Sequence, residues 1–257
     1  MTIASDAADG SRKRVLITGS SRGIGADTAR TLAGAGARIV VNYREKARRA
    51  DALVAEIASS GGTAVAIGAD LTDPSSAQAM LEQIRTDWGG LDVLVLNASG
   101  GMESGMAEDY ALRLNRDAQV GLVRAALPLL GPGSRIVFVT SHQAHFIATT
   151  PTMPQYEPVA RSKRAGEDAL RALIPELTAA GVEFVVVSGD MIEGTITVKL
   201  LERANPGVIA HRRESAGRLY SVAEFAAEVA RAVDEPVPES HTRFVGDVAD
   251  FTPVAGE

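Results

Sequence analysis

Residues 151–170 contain two side chains that could exchange a proton with a substrate, Tyr156 and Lys163. A phenol can donate its proton to an oxygen that is becoming an alkoxide, and a neighbouring ammonium group lowers the pKa of the phenol by favouring its anion. The two residues are seven positions apart. On a regular helix this spacing separates them by about 10.5 Å along the axis, which is too far for direct coupling.

Pro158 changes this geometry. Proline suits the first turn of a helix and disfavours helical backbone in the residue before it, so a helix is predicted to begin near Pro158. Tyr156 then lies on a loop that can fold back over Ser141, a serine at the end of an apolar stretch. Tyr156 with Ser141 is therefore one hypothesis for the proton-donating site.

His142 and His145 are alternative proton donors, because they follow Ser141 directly and imidazole titrates near neutral pH. Their His-x-x-His spacing also suggests a metal site. Zinc sites take at least three protein ligands, and no third ligand is apparent on the predicted loop. We therefore expect no metal, and the choice between tyrosine and histidine stays open.

Three glycines, Gly19, Gly23 and Gly25, occur in the segment TGSSRGIGADTA, directly after an apolar stretch and before a helical pattern. Glycine lets the backbone turn tightly and approach a pyrophosphate, which then binds the free N–H groups at the helix N-terminus. The position between a strand and a helix is the one that a dinucleotide site requires. This segment predicts a phosphate-binding turn.

The end of the second predicted strand selects between NAD and NADP. A carboxylate there would bind the ribose 2′-hydroxyl of NAD, but this sequence has Asn42, Tyr43 and Arg44. Arg22 lies within the glycine turn, and two arginines can hold a 2′-phosphate by charge-assisted hydrogen bonds. NADP(H) is therefore the expected cofactor, and NAD is less favoured.

Short β-branched stretches alternate with longer segments that have apolar residues at helical spacing. The predicted strands are 14–18, 38–43, 63–70, 91–97, 135–141, 182–189 and 242–246. Strands that are apolar on both faces and separated by helices predict a parallel sheet covered on both sides. The fold class is therefore α/β, a single Rossmann-type doubly wound parallel sheet of about seven strands, in one NADP-binding domain over residues 14–257.

The composition and net charge exclude or disfavour several kinds of site and partner. The 257 residues carry a net charge of −6 and include no cysteine, which excludes disulfides, thiolate metal sites and cysteine nucleophiles. The acidic balance disfavours nucleic-acid and anionic-membrane partners. Residues 1–13 are small and polar without a signal-peptide pattern and are expected to form a flexible tail. The expected location is cytoplasmic.

The chain resembles the short-chain dehydrogenase/reductase family, and within it the 3-oxoacyl-carrier-protein reductases, from residue 14 to about residue 246. TGSSRGIG matches the glycine motif of the family, and LDVLVLNASGG resembles its Asn-Asn-Ala-Gly strand end, with Leu96 and Ser99 as departures. The resemblance implies hydride transfer between a nicotinamide and a small-molecule carbonyl or alcohol. Together with the glycine turn, it assigns the cofactor contacts to Gly19, Ser21, Arg22, Gly23, Ile24, Gly25, Asn42, Tyr43, Arg44, Asp70, Leu71, Asn97, Ala98, Ser99, Lys163 and Thr195.

The same resemblance implies catalytic roles for Asn115, Ser141 and Lys163, but the family tyrosine, four residues before the lysine, is replaced by Val159. Three hypotheses follow from this replacement. Tyr156 takes over the role, a histidine does, or the protein binds NADP(H) with impaired or no reductase activity, as a sensor or partner subunit.

Residues 190–220 are expected to form a lid over the substrate, as in the family, although Ser188, Gly189 and Asp190 replace its Pro-Gly. Asp190 is either a substrate contact or a turn former, and the basic segment 211–215 is expected to be a solvated loop. The resemblance also implies a homo-oligomer, a dimer or tetramer. Apolar faces on the helices that contain Asn115 and Lys163 are the expected contact surface.

Overall fold

The computed structural model describes residues 12–103 and 105–252. Within them, seven strands pair in parallel in the order β3-β2-β1-β4-β5-β6-β7. The strands are β1 Arg14–Ile17, β2 Arg38–Tyr43, β3 Thr63–Gly68, β4 Leu91–Leu96, β5 Leu130–Ser141, β6 Glu183–Gly189 and β7 Thr242–Val245. The predicted doubly wound parallel sheet is confirmed. The predicted tail lies outside the described residues except for Arg12 and Lys13.

Helices cover both faces of the sheet. The α-helices are α1 Gly23–Gly34, α2 Ala47–Ser59, α3 Pro74–Trp88, α4 Tyr110–Leu112, α5 Gln119–Ala126, α6 His142–His145, α7 Glu157–Arg171, α8 Ile174–Ala179, α9 Ile196–Ala204, α10 Val208–Ala216 and α11 Val222–Arg231. A π-helical segment, Arg113–Ala118, joins α4 to α5, and short 3₁₀ helices lie at Leu127–Leu129 and Ala249–Phe251. None of the helices in the described ranges has the length and apolar character to cross a membrane.

Two apolar layers hold the helices against the sheet. One face packs on α1, α2 and α11, through residues such as Leu32, Leu53 and Val229. The other packs on α3, α5 and α7, through residues such as Met80, Leu122 and Leu170. Because both faces are covered, the central strands are apolar throughout, which is why the sequence pattern located them.

The strand order reverses beside β1, since the chain runs outward from β1 to β3 and then returns to β4 on the other side. At such a point, the loops after the two strands diverge and leave a crevice at the carboxyl edge of the sheet. The glycine turn follows β1, and Asn97 follows β4. The fold therefore brings these two segments to one crevice.

Residues 190–220 contain two helices, α9 and α10. The expectation of a loop at 211–215 is wrong, because these residues belong to α10. None of the residues in α10 is buried, so the helix lacks the apolar stripe by which sequence patterns reveal helices. It is attached by partly buried residues such as Val208 and Ile209, which pack against Met191 and Leu219. Arg212 and Arg213 add ion pairs with Asp190 and Glu193.

Candidate active site

The turn after β1 requires glycine at its three expected positions. Gly19 and Gly23 have φ angles of 61° and 57°, in the left-handed region that other residues avoid. At Gly25 a Cβ atom would lie 2.6 Å from the Asn97 side-chain nitrogen and 2.8 Å from the Ser20 Cα. The glycines therefore set the backbone path and allow α1 to pack against the ends of β1 and β4.

The N-terminus of α1 opens onto a cavity. Arg22 is the N-cap residue in extended conformation, and its side chain makes no capping hydrogen bond to the first turn. The N–H groups of that turn thus receive no side-chain cap, and Gly23 and Ile24 line the cavity. This arrangement suits a pyrophosphate, which binds such N–H groups and the positive end of the helix dipole. The residues present therefore fit a nicotinamide dinucleotide.

The cavity has a volume of about 770 Å³ and runs from the glycine turn to the residues around Ser141. It brings together all but two of the site residues predicted from the sequence. Those that line it are Gly19, Ser21, Arg22, Gly23, Ile24, Asn42, Tyr43, Arg44, Asp70, Leu71, Asn97, Ala98, Ser99, Ser141, Tyr156, Lys163 and Thr195. Gly25 and Asn115 do not line the cavity, but they contact residues that form its walls.

Asn42 and Asn97 brace the glycine turn. The Asn42 side-chain oxygen accepts a hydrogen bond from the Gly19 N–H at 3.1 Å, and Asn42 is only 2% exposed. The Asn97 side-chain nitrogen donates to the Thr18 carbonyl at 2.9 Å. Because both side chains bond to the protein, their contribution to the cavity is to fix its phosphate-binding end.

Charged side chains at the end of the cavity beside β2 and β3 are held by local contacts. Asp70 accepts hydrogen bonds from the Thr72 backbone N–H at 2.9 Å and hydroxyl at 2.7 Å, which closes the turn after β3. Arg44 pairs with Glu45 at 3.0 Å and lies over the Tyr110 ring, 5.8 Å from its centroid, while donating to its hydroxyl. Arg22 is exposed at the mouth.

Tyr156 and Ser141 meet inside the cavity. The hydroxyl of Tyr156 lies 3.1 Å from the Ser141 Oγ, and the tyrosine is 5% exposed. Tyr156 is the N-cap residue of α7 and Pro158 lies in the first turn, as predicted. Burial raises the pKa of the Tyr156 phenol, and its hydrogen bond with Ser141 opposes the rise. The phenol is thus protonated near neutral pH and able to act as a donor.

Lys163 lies further along α7 and lines the same cavity. Burial lowers the pKa of its ammonium group to about 8, and the negative charge of Glu167 opposes the shift. Val159, four residues earlier, is 4% exposed and packs with Ala144 and Leu201. At this position the helix presents an apolar wall to the cavity.

Asn115 lies in the π-helical segment. Its side-chain nitrogen donates to the Gly100 carbonyl and to the Ser162 Oγ, both at 2.9 Å, and its oxygen accepts from the Gly100 N–H at 3.2 Å. π-Helical turns in a longer helix are frequent at functional sites. Here the asparagine joins the loop after β4 to α7, which carries Lys163.

Neither histidine reaches the cavity. His142 is fully buried, with Nδ1 2.8 Å from the Ser188 Oγ and its ring in edge contact with Phe146 and Phe251. Burial lowers its pKa to about 4. His145 bonds to Glu167 at 2.8 Å. Over the described ranges, no three or more His, Cys, Asp or Glu side chains are grouped so that they could hold a metal ion.

Gln143 and Tyr110 are among the polar residues of the cavity that were not predicted. Gln143 follows Ser141 by two positions, so its place after the strand was a usable signal. Tyr110 lies at the start of α4, and only the three-dimensional structure brings it to Arg44. Asp190, left open between a turn former and a substrate contact, lines the cavity and pairs with Arg212.

Comparison with known proteins shows the family. Residues 13–205 match the model of the short chain dehydrogenase family, and the chain belongs to that family. A short-chain dehydrogenase/reductase of Pestalotiopsis microspora is 32% identical over 191 residues, which are 72% of this chain and 69% of the relative. A hydroxynaphthalene reductase of Aspergillus fumigatus is 33% identical over 177 residues, 66% of this chain and 63% of the relative.

Solved structures agree with the fold. A short chain dehydrogenase from Burkholderia cenocepacia in complex with NADP superimposes with a TM-score of 0.74 and is 30% identical. The match covers 91% of this chain and 96% of the other. The relatives are thus named as oxidoreductases of small molecules, and a nicotinamide cofactor is bound in a structural neighbour.

Proposed function

We propose that this protein is an NADP(H)-dependent reductase that transfers a hydride between the nicotinamide and a carbonyl substrate. The observation that carries the proposal is the hydrogen-bonded pair of Ser141 and Tyr156, 3.1 Å apart, in the cavity that begins at the glycine turn. A proton donor and a second hydroxyl in one place are what reduction of a carbonyl oxygen requires.

In this proposal the bound cofactor supplies the hydride, and the chain manages the proton. The hydroxyls of Ser141 and Tyr156 hold the carbonyl oxygen, and the Tyr156 O–H donates its proton as the oxygen gains negative charge. Lys163 contributes a positive charge to the cavity and a contact for the nicotinamide ribose. Asn115 keeps α7 in register with the loop after β4 through its bonds to Ser162 and Gly100.

Preference for NADP over NAD rests on the charges at the adenosine end. Asn42, Tyr43 and Arg44 place no carboxylate directly at the end of β2, the nearby Glu45 is paired with Arg44, and the exposed Arg22 lines the cavity. Arg44 would turn from Tyr110 to contact a 2′-phosphate, a change that its partly exposed side chain permits. The NADP complex of the Burkholderia relative supports this choice.

Replacement of the family tyrosine by Val159 is part of the proposal, with Tyr156 as the substitute. The resemblance to 3-oxoacyl-carrier-protein reductases, the cytoplasmic location, the single domain over 14–257 and the lid over 190–220 are retained as predictions. The substrate end of the cavity includes Met153, Val159 and Met191. An apolar ketone therefore suits it, and a relative is named as a hydroxynaphthalene reductase.

The test is turnover of a panel of apolar ketones with NADPH and with NADH, for the unchanged protein and for Tyr156→Phe. We expect reduction with NADPH in preference to NADH, and a loss of kcat of at least about 100-fold in Tyr156→Phe, the contribution typical of general acid catalysis. Tyr220→Phe is the matched control, since Tyr220 packs against the apolar layer that includes Phe225 and Val229 and does not line the cavity.

Each outcome decides between the hypotheses. Turnover that persists in Tyr156→Phe would remove Tyr156 as donor. Saturable NADPH binding without reduction of any ketone would instead favour the alternative of an NADP(H)-binding sensor or partner subunit. Preference for NADH would contradict the assignment of Arg22 and Arg44.

A further inference from the structure

Gln143 is a polar residue in the wall of the cavity, and the nitrogen and oxygen of its side-chain amide have different surroundings. It follows Ser141 by two residues, lines the cavity and is 8% exposed. Its amide nitrogen donates to the Asp190 Oδ1 at 2.8 Å. The amide oxygen is not among the buried polar atoms without a partner in the described ranges. Since none of the hydrogen bonds found among the described residues is to this oxygen, it keeps some exposure, and because Gln143 lines the cavity we infer that the exposure is towards the cavity.

The orientation of the Gln143 amide follows from its partner. Asp190 accepts hydrogen bonds from the Met191 N–H at 2.8 Å and from the Arg212 Nε at 2.7 Å, in addition to Gln143. A carboxylate paired with a guanidinium is an acceptor, so the nitrogen of the amide must face Asp190. The oxygen is then presented on the other side as a fixed acceptor.

Asp190 is itself held from outside the cavity. The Arg212 side chain is 11% exposed, pairs with Asp250 as well as Asp190, and lies 4.8 Å from the centre of the Phe251 ring. A chain of contacts thus links Phe251 to Arg212 on α10, Arg212 to Asp190, and Asp190 to Gln143. Side chains bonded on several sides lose little further freedom when a ligand binds, so the acceptor is preorganised.

The neighbouring wall makes this acceptor selective. Met153, Val159 and Met191 line the same end of the cavity with apolar surface. A substrate that desolvates Gln143 without a donor of its own leaves a buried oxygen unpaired, which lowers its binding by roughly 5- to 150-fold. Sites built to bond a substrate hydroxyl discriminate strongly against the analogue that lacks it.

We propose that Gln143 is a specificity-determining residue that selects carbonyl substrates carrying a hydroxyl group within the apolar part of the molecule, and that Asp190 is its positioning residue. The proposal rests on the proposed carbonyl reductase activity and names its substrate class. The substrate hydroxyl donates to the Gln143 Oε1, while the reacting carbonyl lies at Ser141 and Tyr156.

The experiment compares 1-tetralone with its ring-hydroxylated isomers as substrates, with NADPH, in the unchanged protein, Gln143→Leu and Asp190→Asn. We expect kcat/KM for at least one hydroxylated isomer to exceed that for 1-tetralone by about 10-fold or more, from the cost of an unpaired buried acceptor. Gln143→Leu should reduce this ratio to near one. Asp190→Asn should reduce it in part, because an asparagine no longer fixes which end of the Gln143 amide faces the cavity.

Controls separate specificity from folding and from the proposed activity. Gln83→Leu, at an exposed position on α3, should keep the ratio of the unchanged protein. Thermal unfolding of each variant checks that the fold is retained.

Equal ratios in the unchanged protein and Gln143→Leu, with ketones turned over, would overturn the role of Gln143 and leave the reductase proposal standing. If no ketone is reduced, the reductase proposal fails instead. The affinity of the NADPH-loaded protein for the same ketones, measured by calorimetry, then tests the role of Gln143. Equal affinities for hydroxylated and plain ketones would overturn its role, and a preference abolished by Gln143→Leu would support it.

Discussion

Tyr156, the proposed proton donor, and Lys163 occupy different kinds of position. Tyr156 caps α7 from a loop and meets Ser141, whereas Lys163 lies within the helix behind the apolar Val159. Pro158 indicated where α7 begins, so the contact between Tyr156 and Ser141 could be predicted from the sequence. The placement of His142 was not, because its contact with Phe251 joins segments more than 100 residues apart.

Lys163 should reduce the stability of the fold at neutral pH. Its pKa of about 8 in the folded protein lies below the ordinary value of 10.5, because burial disfavours the charged form. Below pH 8 both folded and unfolded chains carry the charge, and the folded chain bears the full desolvation cost. Between about pH 8 and 10.5 the unfolded chain binds more protons, so this cost is relieved as the pH rises.

Lys163→Met is therefore expected to raise the free energy of unfolding at pH 7 by about 1–2 kcal/mol, a value reduced for the partial exposure of the side chain. The gain should shrink towards pH 10. Urea denaturation at both pH values measures it, with Lys199→Met at an exposed position of α9 as the control. A gain that is the same at pH 7 and pH 10 would contradict a cost that comes from the buried charge.

At the scale of elements, the contact between α7 and the π-helical segment positions the site. Gly166 on α7 lies against the backbone of Asn115, and a Cβ atom there would overlap the Asn115 carbonyl oxygen. The close approach lets the Asn115 side chain bond to Ser162 on α7. Glycine at position 166 is therefore a requirement of packing, although it lowers the helix propensity of α7.

Gly166→Ala should destabilise the protein by about 1–3 kcal/mol, as expected for overpacking against backbone that cannot move aside. Gly121 on α5 provides the matched control, since a Cβ there meets no atom within 4 Å. Gly121→Ala should be neutral or stabilising by up to about 1 kcal/mol through helix propensity. Thermal and urea unfolding of the two variants measure both effects, and equal stabilities would argue against tight packing at Gly166.

The elements differed in how well the sequence predicted them. The strands were located to within a few residues, since burial on both faces leaves continuous apolar stretches such as that of β6. The π-helical segment follows from a tertiary contact, which no local pattern encodes. α10 was missed because it has no buried residue and is attached in part by long-range pairs such as Arg212 with Asp190.

At the scale of the whole molecule, the topology explains why so many site residues were predictable. Each strand of a parallel sheet delivers its carboxyl end to one edge, so residues that follow β1, β2, β4 and β5 in sequence converge there. Gly19, Arg44, Asn97 and Ser141 all belong to this set. Gln143 and Asp190 also follow strands. That their side chains face one another depends on the packing of α6 and α10.

The self-association surface expected on the helices that contain Asn115 and Lys163 stays a prediction, and the edge of β7 is a second candidate. The apolar side of α7, with Val159, Ala160 and Leu170, packs into the protein, and its outer side carries charges such as Arg161. The outer edge of β7 has no partner strand among the described residues, and Phe244 on it is 42% exposed. An uncovered strand edge with an exposed aromatic ring favours pairing with a second copy.

We therefore predict a homo-oligomer that forms at the β7 edge. Light scattering coupled to size-exclusion chromatography should give the mass of at least two copies, and Phe244→Glu should shift the mass towards that of one copy, because it places a charge in an apolar contact. Met106→Glu, which removes an apolar side chain exposed elsewhere, in the loop after β4, should leave the mass unchanged. A single-copy mass for the unchanged protein would refute self-association. An oligomer that Phe244→Glu does not alter would place the contact on another surface.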